Sequence, residues 1–318
     1  MVRKNLTAAD CATNPLLRAL LPFTAHLLHN QNRAETVLQG FPPSPCVVGY
    51  QKADLVANGQ MKASPFVTIG TTGVYLSDLE VTGEPIGEEG GCWGDVSIAM
   101  LTGSGANQKV DIGGGVKMNR TYYWYEEDGE YEAGWYDVAE NPLKDDESAL
   151  GNANEILFEQ GEGIWVNVNS SYAGCSIDYK GGVLPASFAY PLVANGQMVG
   201  NPHPASVALA DITVSGEPIG EEGGCWGDVS IAMLTGSGAN QKVDIGGGIK
   251  MNRTYYWYEE DGEYEAGWYD VAENALKDDE SPLGNANEIY FESGDGIWVN
   301  VNSSYAGCTL NFPAISVD

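Results

Sequence analysis

The residues best suited to bind a ligand are tyrosines interleaved with carboxylates around an Asp-Gly pair. Residues 122–127 precede Asp128-Gly129, and residues 130–135 follow it. Aromatic rings can stack on a sugar, while carboxylates accept hydrogen bonds from its hydroxyl groups. The alternative is an ordinary strand surface whose tyrosines cover neighbouring loops. The predicted binding residues form two equivalent sets: Tyr123, Tyr125, Glu127, Glu130 and Glu132, and Tyr256, Tyr258, Glu260, Glu263 and Glu265.

Two runs of acidic residues suggest a second kind of site, for a metal ion. Their carboxylate oxygens suit Ca2+, but their spacing does not match the EF-hand loop. A solvated acidic run is the alternative, so the sequence predicts no cofactor and leaves Ca2+ as the candidate ion. The candidate ligands are Asp145, Asp146 and Glu147, and Asp278, Asp279 and Glu280.

Residues typical of catalysis are scarce, which predicts a protein that is not an enzyme. His26 and His29 lie outside the repeated part of the chain, and His203 stands where the other copy has Phe66. A position that accepts Phe favours apolar packing. No Gly-x-Ser-x-Gly motif occurs, and the glycine runs lack the Gly-Lys-Ser/Thr ending of a phosphate loop. Paired carboxylates leave a weak hydrolase as the third hypothesis.

Six cysteines indicate disulfides, because four of them occur at repeated positions. The simplest pairing joins Cys92 to Cys175 and Cys225 to Cys308. Each bridge would contribute about 4–5 kcal/mol in the chain-entropy model. Disulfides favour an oxidising compartment, whereas buried free thiols are the alternative. No Cys/His cluster has the spacing of a zinc site.

These residues sit in a tandem repeat. Residues 84–175 recur as 217–308 at an offset of 133, with six differences in 92 positions. The similarity begins earlier, because Leu55 to Met61 (LVANGQM) returns at an offset of 137. The predicted organisation is a non-repeat segment at 1–46, a first copy at 47–182 and a second copy at 183–318.

Each copy is predicted to be all-β, as an antiparallel β-sandwich or a small barrel. The Asp-Gly pair predicts a two-residue hairpin turn, with Trp124 opposite Ala133 and Tyr125 opposite Glu132. The period of two in a strand then places Tyr122, Trp124 and Trp135 on the core face, and Tyr123 and Tyr125 towards water. A short helix near 14–30 is predicted in the N-terminal segment.

The charge of the chain limits its partners. It has 15 Lys and Arg against 44 Asp and Glu, a net charge of -29. This charge repels nucleic acids, whose binding depends on basic residues. No stretch has the roughly 18 apolar residues that a membrane helix needs. The best apolar run, at 16–28, lacks a signal-peptide cleavage site, so no signal peptide is evident.

Short motifs resemble those of a loose group of uncharacterised, secreted, repeat-bearing bacterial surface proteins. They are VVGY at 47–50, LVANGQM at 55–61, GWYD at 134–137 and GEGIWV at 161–166. The resemblance covers residues 47–318 and implies export and a β-rich fold, but no activity or site residues. A secretion signal usually precedes the first module in that group, whereas this chain has the segment 1–46 there.

Together these features predict a non-catalytic structural or adhesive protein outside the cell or on its surface. Its expected partners are glycans, other surface proteins or further copies of itself. The alternative is a bivalent carbohydrate-binding protein that uses the tyrosine and glutamate hairpin face, because two equal sites on one chain give avidity.

Overall fold

The computed structural model shows an all-β protein made of short antiparallel strands. It describes residues 47–56, 58–83, 96–100, 109–111, 117–125, 131–144, 147–168, 174–193, 195–216, 229–232, 242–244, 250–258, 264–277, 280–301 and 307–316. The predicted all-β class is therefore confirmed. The N-terminal segment and its predicted helix lie outside the described residues. Within the described part, no helix has the length and apolar character needed to cross a membrane.

Twelve strands are described in the first copy. They are β1 (Val48–Asp54), β2 (Asn58–Ala63), β3 (Gly73–Tyr75), β4 (Glu80–Thr82), β5 (Val96–Met100), β6 (Lys109–Asp111), β7 (Lys117–Asn119), β8 (Thr121–Tyr125), β9 (Gly134–Tyr136), β10 (Leu157–Glu159), β11 (Gly163–Val168) and β12 (Ser176–Gly182). A one-turn 3-10 helix, Leu76–Asp78, lies between β3 and β4.

The second copy has an equivalent of every one of these strands. They are β13 (Phe188–Pro191), β14 (Asn195–Gly200), β15 (Val207–Ala208), β16 (Thr213–Ser215), β17 (Val229–Ala232), β18 (Lys242–Asp244), β19 (Lys250–Asn252), β20 (Thr254–Tyr258), β21 (Gly267–Tyr269), β22 (Tyr290–Phe291), β23 (Gly296–Val301) and β24 (Thr309–Phe312). Its 3-10 helix is Leu209–Asp211.

The sheets of the two copies correspond strand for strand. In the first copy the orders are β2-β11-β5-β8-β9, β1-β12-β4, β10-β3 and β6-β7. In the second copy they are β14-β23-β17-β20-β21, β13-β24-β16, β15-β22 and β18-β19. The two copies have therefore formed the same sheet topology.

The five-stranded and three-stranded sheets of each copy share one hydrophobic core. In the first copy Val166 of β11 and Ile177 of β12 belong to the same buried cluster. Trp135 joins the layers more specifically, because its indole N–H donates to the carbonyl oxygen of Leu79 at 2.8 Å. Trp268 makes the equivalent bond to Ile212 at 2.7 Å. A large aromatic side chain thus fills the core and satisfies its one donor.

Cys175 and Cys308 are fully buried and each is disulfide-bonded. Both directly precede the last strand of their copy. Their predicted partners, Cys92 and Cys225, lie outside the described residues. The described half of each predicted bridge therefore ends in the hydrophobic core of its own copy.

The predicted hairpin register is wrong by two residues. Trp124 pairs with Trp135, and Tyr125 pairs with Gly134, so residues 126–133 connect β8 to β9. The two indoles pack edge to face with centroids 5.2 Å apart. A slip of two residues keeps every side chain on its original face, whereas a slip of one would reverse them. The core-face assignment therefore survives: Tyr122 and Trp135 are buried, and Trp124 packs against the same core.

Candidate functional site

Three tyrosines stack together where β8 and β9 meet the connecting segment. The ring of Tyr125 lies 4.5 Å from that of Tyr131 and 4.7 Å from that of Tyr136. The Tyr136 hydroxyl donates to the carbonyl oxygen of Glu132 at 2.8 Å. The Tyr131 hydroxyl donates to Glu140 Oε2 at 3.0 Å, at the surface. We call these three rings the tyrosine cluster of the first copy.

The second copy builds the same tyrosine cluster from Tyr258, Tyr264 and Tyr269. The ring distances from Tyr258 are 4.5 and 4.8 Å. The Tyr264 hydroxyl donates to Glu273 at 2.9 Å. The cluster is therefore a property of the repeated sequence, because it is reproduced at both places in the chain.

The cluster changes what the predicted binding tyrosines can do. Tyr125 was expected to face water, but it is only 6% exposed, and Tyr258 is 7% exposed. This expectation is wrong because Tyr131 and Tyr264 fold back over these rings. Tyr123 is half-buried on the same sheet face, opposite Tyr136.

Two glutamates of the predicted binding sites are described by the structure, and each forms a salt bridge with a lysine. Glu132 pairs with Lys144, and Glu265 pairs with Lys277. Hydrogen bonding and charge from these lysines lower the pKa of both glutamates. The other four predicted binding glutamates lie outside the described residues: Glu127, Glu130, Glu260 and Glu263. Tyr256 is half-buried, as Tyr123 is.

A buried aspartate organises the loop after β9. Asp137 Oδ1 accepts backbone N–H groups of Ala139 at 2.8 Å and Asn141 at 3.0 Å. Its Oδ2 accepts the Ser148 hydroxyl at 2.6 Å. Burial opposes ionisation, but the bonds from Ser148, Asn141 and Ala139 hold the pKa of Asp137 below its usual range. They fix a turn in which Glu140 has φ 63.

Asp270 makes the equivalent bonds to Ala272, Asn274 and Ser281 at 2.6–3.1 Å. Burial again opposes ionisation, and the hydrogen bonds again give a lowered pKa. Neither aspartate was predicted from the sequence to have a role, although the repeated Asp-Val-Ala-Glu-Asn pattern is typical of a side-chain-capped turn. The carboxylate oxygens of Asp270 already accept hydrogen bonds from its own loop, so this residue stabilises the loop rather than binds a ligand.

The predicted calcium ligands are only partly described. Glu147 and Glu280 are exposed. Asp145, Asp146, Asp278 and Asp279 lie outside the described residues. Across the described ranges, no group of three or more His, Cys, Asp or Glu side chains could hold a metal ion. The Ca2+ hypothesis stays a prediction.

The two copies meet through β2 and β11 of the first and β14 and β23 of the second, which we call the inter-copy contact. Backbone bridges join Lys62 to Asp295 and Val199 to Glu162. Because Lys62 is equivalent to Val199, and Glu162 to Asp295, each bridge is the mirror of the other. Such reciprocity is the mark of an isologous, two-fold interface.

Hydrogen bonds across the inter-copy contact follow the same reciprocity. The Ala63 N–H donates to the Gly294 carbonyl at 3.0 Å, and the Gly200 N–H donates to the Gly161 carbonyl at 2.7 Å. Ala63 and Gly200 are equivalent residues that face each other. A Cβ built on Gly200 would fall deep inside the Cβ of Ala63, so only one of them can be Ala.

Some side chains at the inter-copy contact do not follow the two-fold symmetry of the backbone. Gln51 Nε2 donates to the Ser293 carbonyl at 2.7 Å, and the Ser293 hydroxyl donates to Gln51 Oε1. The equivalents are Phe188 and Gln160. Gln160 instead donates to the Pro202 carbonyl at 3.3 Å. His203, the residue after Pro202, is fully buried where the first copy buries Phe66, and this burial lowers its pKa.

Two equivalent turns, Glu159–Glu162 and Glu292–Asp295, each also place a carboxyl at the inter-copy contact. Glu162 is 7% exposed, and burial raises its pKa to about 7. Burial also raises the pKa of Asp295, which the charge of Lys62 opposes. These two acids were not singled out by sequence, because no pattern around them predicts that their backbones bridge to the other copy.

Comparisons with family models, curated proteins and solved structures find no match to this chain.

Proposed function

We propose that this chain is a non-catalytic structural or adhesive protein, located outside the cell or on its surface, in which both copies act as one unit. The observation that carries the proposal is the reciprocal inter-copy contact. Paired backbone hydrogen bonds and complementary residues hold the copies together, so two equal surfaces are presented in a fixed relation. A duplicated spacer or a multivalent adhesin needs that property, because avidity depends on geometry.

The environment of two buried carboxylates also supports a non-catalytic role. The oxygens of Asp137 and Asp270 are saturated by donors of their own loops. A general acid or base must instead be free to exchange a proton with a substrate. The paired cysteines fit an oxidising location.

The full chain should be tested for assembly by sedimentation and electron microscopy over a range of concentrations, and for retention on envelope preparations and matrix proteins. Ordered assemblies or saturable retention are expected. A monomer at every concentration that is retained on none of these surfaces would contradict the proposal. Turnover of oligosaccharide substrates would favour the hydrolase instead.

A second candidate is the carbohydrate-binding protein. It is favoured by the half-buried Tyr123 and Tyr256, which lie on the same sheet face as the tyrosine clusters. The surface bonds from Tyr131 to Glu140 and from Tyr264 to Glu273 place polar groups beside these rings. A ring face with adjacent hydroxyl and carboxylate groups suits a sugar.

The test of this candidate is a glycan array with the full chain, in calcium and in chelator. Binding should fall at least tenfold in a Tyr123→Ala, Tyr256→Ala double variant. The matched control is Tyr290→Ala, because Tyr290 is exposed and its equivalent in the first copy is Leu157. Glycan binding that persists in the double variant removes this face from consideration.

A further inference from the structure

We propose that the inter-copy contact is controlled by protons: it is tightest when Glu162 and Asp295 are protonated, and it loosens as they ionise. Two equivalent turns, Glu159–Glu162 and Glu292–Asp295, each place their last residue against the other copy.

Glu162 is enclosed by both copies. Its Oε2 accepts the Glu159 N–H at 3.0 Å, and its backbone bridges to Val199. The following residue, Gly163, lies against the Cβ and backbone of Met198. Glu162 is therefore buried at the boundary between the copies, close enough for its charge to act on Tyr190 of the second copy, and water is excluded from most of its surface.

The groups around Glu162 only partly offset its burial: the Glu159 N–H and Arg120 lower its pKa, whereas burial and the charge of Glu159 raise it. Arg120 and Tyr122 approach from its own copy, Glu159 from its own turn and Tyr190 from the second copy. The ion pairs found among the described residues do not include Glu162. Burial and the negative charge of Glu162 raise the pKa of Tyr190, so that hydroxyl stays protonated beside it. A charge on Glu162 is consequently costly in the closed contact.

Asp295 occupies the equivalent position and is better compensated. Lys62 faces it from the first copy, Glu292 lies in its own turn, and Tyr179 faces it from β12. The charge of Lys62 favours the ionised carboxylate, while burial and Glu292 favour the neutral acid. Asp295 therefore contributes in the same direction as Glu162, but less.

The sign of the effect follows from linkage. The pKa of Glu162 rises from an ordinary 4.5 to about 7 in the closed contact. The stabilisation is fully present below pH 4.5, where the acid is neutral in both states, and it is lost as the pH rises through 7. His203 behaves oppositely, because burial in the second copy lowers its pKa and acid therefore destabilises that copy. A measurement local to the contact separates the two effects.

Hydrogen exchange on the full chain between pH 5 and pH 8 provides that local measurement. The reporters are the amides of Ala63 and Gly200, which donate across the contact to the carbonyl oxygens of Gly294 at 3.0 Å and Gly161 at 2.7 Å. The references are Leu143 and Leu276, which bond within one copy. After correction for intrinsic rates, protection of the two reporters should fall by roughly tenfold or more over this range, while the references stay level.

Two matched variants complete the test. Glu162→Gln with Asp295→Asn should flatten the pH dependence of the reporters. Glu155→Gln with Glu288→Gln changes equivalent exposed acids and should preserve it. Reporter protection that is constant or rises with pH in the native chain would overturn the proposal, whether or not the first variant folds. Full pH dependence in the first variant would overturn it as well.

Discussion

The tyrosine cluster and the inter-copy contact differ in how closely the two copies agree. Ring distances in the two tyrosine clusters agree to within 0.1 Å, as 4.5, 4.7 and 5.6 Å against 4.5, 4.8 and 5.6 Å. At the inter-copy contact, by contrast, equivalent residues differ: Ala63 meets Gly200, and Gln51 meets Ser293 whereas Phe188 lies beside Gly161.

The difference has a steric cause. A surface that contacts only its own copy can be repeated unchanged, but a two-fold contact places equivalent residues against each other. At Ala63 and Gly200 there is room for one Cβ and not for two. The inter-copy contact therefore favours pairing of the first copy with the second over pairing of the first copy with itself.

The largest expected effect tests the agreement between the copies. Asp137→Ala should lower the free energy of unfolding by about 3 kcal/mol, because several buried donors lose their acceptor. Asp270→Ala should cost the same within error. Chemical denaturation of both variants checks this, and a clearly unequal cost would show that the copies are not structurally equivalent.

The same aspartates should set the acid limit of stability. Their pKa values lie below the ordinary 3.8, so their stabilisation is present above that pH and is lost as the pH falls through the lower, folded value. In the double variant Asp137→Asn, Asp270→Asn, the free energy of unfolding should fall less steeply as the pH is lowered. An unchanged fall would show that other groups cause the acid unfolding.

A smaller effect should distinguish the two sides of the inter-copy contact. Ser293→Ala removes the hydroxyl that donates to Gln51, and about 1 kcal/mol of stability should be lost. Gln160→Ala removes one long bond to Pro202 and should cost less. Equal losses of stability for Ser293→Ala and Gln160→Ala in thermal unfolding would show that the difference between their hydrogen bonds does not affect the stability of the contact.

The smallest effect concerns the surface of the tyrosine cluster. Tyr131→Phe and Tyr264→Phe each keep the stacked ring but remove one exposed hydrogen bond to a glutamate. Each should cost about 0.5 kcal/mol, equally in both copies. Denaturation in urea measures the cost, with Tyr290→Phe as the control outside the clusters. A loss above that of ordinary core substitutions would mean that the hydroxyls organise the cluster.

Local patterns in the sequence predict much of the fold. The period of two in β8 and β9 correctly places Tyr122 and Trp135 in the core. The fold class follows from the same short alternating runs and their turn residues. The equivalence of His203 with Phe66 correctly predicts a buried position.

Features that depend on distant parts of the chain could not be predicted in this way. The register of β8 and β9 departs from the Asp-Gly expectation while Trp135 bonds to Leu79, 56 residues away. Tyr125 is buried because Tyr131 folds back on it, which strand alternation does not encode. Glu162 bridges to Val199 of the second copy, so its place in the contact depends on a residue that its own copy does not contain.

The central claim is that Ala63 and Gly200 meet in a closed contact between the copies. A double-mutant cycle of Ala63→Gly, Gly200→Ala and both together, measured by equilibrium unfolding, tests it most directly. Gly200→Ala alone should cost about 2 kcal/mol by overpacking, and this cost should largely disappear when residue 63 is also glycine. The same cost in both backgrounds would show that these residues do not meet and would contradict the inter-copy contact.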